Sequence, residues 1–138
     1  MPVEQSQSNA KALVRALGIA SAVVAFGLIA LMIYTGDPSS SSWWLAAIPF
    51  ALWIVGPAIV PYLLARRRRD RAISVAMLGF LVISTILSGI AYYQAILVSQ
   101  SSTAALVFLF VPLYQWTAFL VVAGVILAAS ALAKRRSP

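Results

Sequence analysis

The sequence contains no cysteine and no histidine. Disulfides, thiol redox chemistry and the usual zinc sites are therefore excluded. Charge is nearly as scarce: 9% of the 138 residues carry it, against about 25% in an ordinary soluble domain. Carboxylates number three, Glu4, Asp37 and Asp70. Phosphoryl transfer needs clustered carboxylates to hold magnesium, and these three are scattered. Glu4 lies near the N-terminus and Asp70 stands among arginines.

No Asp, Glu, Lys, Arg or His interrupts residues 16–36, 43–65, 72–98 or 104–133. Ionisable groups at such positions mark proton relays and ion pathways. A small proton-coupled exporter would need a buried carboxylate there. An intramembrane serine protease would need a base beside its serine. The expectation is a protein without catalysis, cofactor or metal.

Apolar residues are what remain, at 62% of the chain. A small soluble domain exposes too much of its surface to hide that fraction, whereas lipid removes the difficulty. A helix needs about 20 apolar residues to cross about 30 Å of hydrocarbon, and each uncharged stretch meets this. The predicted spans are 14–36, 43–65, 72–98 and 104–133 in a single membrane domain of residues 1–138. A flexible N-terminus (1–11) and a basic C-terminal tail (134–138) flank them. The first span has an apolar run of roughly 19 residues, longer than the about 7–15 of a signal peptide. No small-x-small cleavage pattern follows Ile33-Tyr34, so this span is expected to be retained.

The connections are short. Residues 35–42 read TGDPSSSS and residues 66–71 read RRRRDR. Gly36, Asp37 and Pro38 favour a turn, and short links make sequence-adjacent helices antiparallel neighbours. The expected fold is an all-α integral membrane protein, an up-down-up-down bundle of four transmembrane helices.

All ten basic residues lie in three places: Lys11 and Arg15, then Arg66, Arg67, Arg68, Arg69 and Arg71, then Lys134, Arg135 and Arg136. With four spans these places share one side. The positive-inside rule makes that side cytoplasmic, with both termini there. The expected location is a bacterial cytoplasmic (inner) membrane. Tyr34, Trp43, Trp44, Tyr92 and Tyr93 would then sit near the outer interface, where amphipathic rings are favoured. The five arginines of the 66–71 link are candidates for contact with anionic lipids. The loop is too short for a nucleic-acid module, and no nucleic-acid partner is expected.

Pro49, Pro57 and Pro61 fall in the second span, within about 120° of arc at helical spacing. Each removes a backbone hydrogen bond and frees the carbonyl four residues earlier. Pro57 thus frees the carbonyl of Trp53, and in lipid that group must find a partner inside the protein. Trp53 and Gln115 are both about 15–18 Å below the outer ends of their spans, so Gln115 is the expected donor. A helix-packing or partner cleft is expected around Trp53, Pro57, Pro61, Pro112, Tyr114 and Gln115. Two small-xxx-small pairs on the third span, Ser84/Ser88 and Thr85/Gly89, would permit close backbone approach.

The run Ala104-Ala105-Leu106-Val107-Phe108-Leu109-Phe110-Val111-Pro112-Leu113-Tyr114-Gln115 resembles a segment of uncharacterised small bacterial four-helix membrane proteins. The resemblance covers about a tenth of the chain and implies no activity. The leading expectation is an accessory or binding protein for another membrane protein, or for a second copy of itself. One alternative is an immunity-type protein against a pore-forming toxin. The other is a small permease or channel-like oligomer for an uncharged or lipidic solute.

Overall fold

The computed structural model describes residues 2–68, 70–99 and 106–136, with side chains within 8–68, 70–98, 106–129 and 131–132. Every described element is helical: α1 (Pro2–Thr35), α2 (Ser41–Arg68), α3 (Arg71–Tyr92) and α4 (Val107–Arg136), with a π-helical segment, Tyr93–Ser99, continuing α3. Four segments are long and apolar enough to cross a membrane: Ser8–Thr35, Ser41–Arg68, Arg71–Val98 and Val107–Ala129.

Helix α1 starts at Pro2 and includes residues expected to be flexible. Proline suits a first helical turn, where its missing N–H would have no intrahelical partner. No glycine or second proline follows until Gly18. Arg69, the polar residues 100–103 and the start of the resembling run lie outside the described residues. The side chains of Glu4, Lys134, Arg135 and Arg136 do as well.

The α1–α2 turn closes on itself. The Ser40 N–H donates to the Asp37 carbonyl at 3.3 Å, and the Ser39 hydroxyl donates to the Asp37 carboxylate. The Trp43 indole lies against Gly36, where an added Cβ would come within 2.5 Å of Cζ2. Trp44 Nε1 donates to the Pro38 carbonyl at 3.0 Å. The two indoles meet edge to face, 4.8 Å apart.

Asp70 explains the lone acid in RRRRDR. It is extended at φ −96 and ψ 134 and caps α3. Its Oδ1 accepts from Ala72 N at 2.7 Å and Ile73 N at 3.3 Å. These N–H groups have no carbonyl within the helix, and a carboxylate also suits the positive end of the helix dipole.

Two apolar clusters hold the helices together. Leu17, Ala58, Ala65, Met77, Leu81, Phe119 and Ala123 bring all four helices into contact. Ala25, Met32, Ala47, Ile54 and Val55 join α1 to α2 toward the tryptophan turn. The first cluster lies toward the arginine-rich end. Outside these clusters large apolar side chains are exposed: Phe26 is 76% exposed, Leu45 80% and Leu52 73%. Only 17–33% of each membrane-length window is buried, so most of the apolar surface has lipid as its matching solvent.

Candidate functional site

Helix α2 cannot satisfy its own backbone. Pro57 has no N–H, which leaves the Trp53 carbonyl without its intrahelical donor. The structure supplies the donor from α4: Trp116 Nε1 donates to Trp53 O at 3.3 Å. This corrects the expectation that Gln115 fills that role. The two residues are adjacent on α4 but about 100° apart around its axis, so one of them can face α2 while the other turns away.

Gly56 makes room for the ring. A Cβ placed there would collide with Trp116 Cζ2 and lie 3.2 Å from Cη2. The glycine thus creates a recess beside the freed carbonyl, and the indole fills it and carries the N–H inward. Phe119 meets the same indole edge-on at 6.3 Å. Pro57, Pro61 and Pro112 are fully buried, whereas Pro49 is exposed.

Gln115 bonds instead to α3. Its Nε2 donates to Ser88 Oγ at 2.6 Å, and Ser88 Oγ donates to the Ser84 carbonyl at 2.5 Å. The chain of donors joins α4 to the Ser84/Ser88 pair. Tyr114 is 72% exposed and turns outward, so it does not join Gln115 in a cleft.

Beyond this contact a space opens on the side of α1 and α3. Between them is an open groove of about 540 Å³, with Gly27, Thr85, Ser88, Gly89 and Gln115 among its lining residues. A Cβ at Gly27 or Gly89 would meet nothing within 4 Å. The buried Thr85 Oγ1 has no hydrogen-bond partner. The groove is therefore an apolar trough with a few polar atoms along it. Among Trp53, Pro57, Pro61, Pro112, Tyr114 and Gln115, only Gln115 lines it.

A second cleft, about 950 Å³, opens between α1 and α2 at the basic end. Lys11, Arg15, Gly18, Ala22, Tyr62 and Arg66 are among its lining residues. Arg67, Arg68 and Arg71 are exposed and are not part of it.

The sequence does not single out Trp116, because depth alone does not separate it from its neighbour Gln115. The available signal was Gly56 next to Pro57, a missing side chain beside a freed carbonyl. No family model matches the chain, and neither a curated protein nor a solved structure matches it.

Proposed function

We propose that the protein is a non-catalytic, multi-pass accessory protein that binds a transmembrane helix of another membrane protein in the groove between α1 and α3. The groove carries the reading. Helices associate in lipid by close backbone packing at small residues and by interhelical hydrogen bonds. Gly27 and Gly89 leave open space on opposing helices. A lipid-embedded partner helix could pack closely against both. The permease alternative calls for a polar path joining Gln115 to Trp53. The groove includes the first and not the second, so the accessory reading is favoured.

The reading includes orientation. Gly18 packs on Tyr62 while Gly36 packs on Trp43, which supports an antiparallel α1–α2 pair. Repeating that reversal gives an up-down-up-down bundle with its arginine-rich ends on one face. Charge asymmetry then assigns this face to the cytoplasm of a bacterial inner membrane. A reporter fused after Pro138 that is active only outside the cytoplasm should remain silent.

Affinity capture in mild detergent, followed by mass spectrometry, tests the binding role. Wild-type protein should retain a membrane-protein partner, and Gly27→Leu with Gly89→Leu should lose it. Both glycines border open space, so the pair should still fold. Failure to recover any partner, together with a monomeric wild-type protein, would overturn the proposal.

A further inference from the structure

We infer that the cleft between α1 and α2 binds one anionic phospholipid, with its phosphate among Lys11, Arg15 and Arg66 and an acyl chain along Gly18 and Ala22. All five residues line one cleft. Lys11 and Arg15 are one helical turn apart on α1, so they share a face. Arg66, in the last turn of α2, supplies the opposite wall. The three cationic side chains are exposed, and none has an ion-pair partner among the described residues. Asp70, the nearest carboxylate in sequence to Arg66, is already occupied in capping α3.

The lining changes from charged to apolar along α1. Ala22 lies 11 residues beyond Lys11, about 16 Å along the helix. Between them, Val14, Gly18 and Ile19 present apolar surface to the cleft. Gly18 sets its shape. A Cβ there would lie 2.9 Å from Tyr62 Cε2, so the tyrosine ring rests on the α1 backbone as a side wall. A cationic rim above an apolar trough matches an amphiphile with an acidic head. Guanidinium groups suit this head because they bind phosphate oxygens through paired N–H donors.

This differs from diffuse attraction of the whole arginine run to the membrane surface. Diffuse attraction depends on the total basic charge near the surface. A defined site depends on which residues are removed. The inference rests on the membrane reading above but not on the helix-binding role or on orientation, and the assay is done in detergent.

The experiment measures binding of phosphatidylglycerol to the full chain in nonionic detergent, by native mass spectrometry and by the shift in thermal unfolding. Phosphatidylcholine and inorganic phosphate are the comparison ligands. Wild type should bind one phosphatidylglycerol and gain thermal stability, and phosphatidylcholine should give neither effect. Arg15→Gln and Arg66→Gln should each weaken binding at least fivefold. Arg67→Gln with Arg68→Gln should leave it within twofold. Ala22→Phe keeps every charge and fills the trough, and it should abolish the one-lipid species. Equal losses in the Arg67/Arg68 and Arg15/Arg66 variants would overturn the site in favour of diffuse attraction. Equal stabilisation by inorganic phosphate would overturn the lipid assignment, as would unchanged binding in Ala22→Phe.

Discussion

Replacing Trp116 with phenylalanine tests whether a side chain from α4 completes the backbone of α2. The change removes the Nε1–H that meets Trp53 O at 3.3 Å and also removes part of the ring packed against Gly56. The unpaired carbonyl should cost about 1–3 kcal/mol, at the lower end because the bond is long. The lost ring atoms add a packing term to the same measurement. Pro57→Ala separates the two. It restores an N–H at residue 57, which can donate to Trp53 O within α2. In that background Trp116→Phe should lose only packing. The coupling in the double-mutant cycle should be about 1 kcal/mol, the scale of interhelical hydrogen bonds in lipid. Unfolding by sodium dodecyl sulfate from mixed micelles, followed by far-ultraviolet circular dichroism, reads each corner of the cycle. Equal costs of Trp116→Phe in both backgrounds would refute the reasoning, because the carbonyl would then not depend on the indole.

Glycine substitutions should divide by neighbourhood. Gly56→Ala should destabilise by about 1–3 kcal/mol through overpacking against Trp116, whereas Gly79→Ala, which meets nothing within 4 Å, should stabilise α3 by up to about 1 kcal/mol; thermal unfolding in detergent compares them. Gln115→Leu should lower stability by about 0.5–1 kcal/mol, because Ser88 keeps its bond to Ser84 O; no loss in the same assay would remove Gln115 from the interhelical contact. Asp70→Ala should cost about 1 kcal/mol as a lost cap, with Asp70→Asn retaining most of the stability, and hydrogen exchange at Ala72 and Ile73 should report the difference.

The helical segments were legible because their signal is coarse. Long uncharged stretches bounded by arginine, or by Gly-Asp-Pro, can be read without knowing any contact. Proline was also informative: Pro57 names the carbonyl it releases, because the rule is local to one helix. The partner was not legible at residue precision. Counting residues from the ends of spans sets depth to within about a turn, and one turn of α4 includes both Gln115 and Trp116. Choosing between them needs the rotation of α4 about its axis, which depends on packing with Phe119 and Gly56 and on the Gln115–Ser88 bond. Tyr114 was grouped with Gln115 by proximity in sequence, yet adjacent helical positions point in different directions. The basic cleft depends on α1 lying beside the end of α2. Its residues come from two segments read separately, Lys11 and Arg15 as topogenic charge and Arg66 as one of five lipid-contact candidates in the 66–71 link.

The bond between Trp116 and Trp53 spans 63 positions of chain. At about 5–20 residues per second, a ribosome needs roughly 3–13 s to make that interval. During that time the second span exists with a carbonyl that nothing yet synthesised is placed to meet. A chain stalled before α4 would carry this unpaired carbonyl into the bilayer, and the defect is removed only when α4 packs against α2.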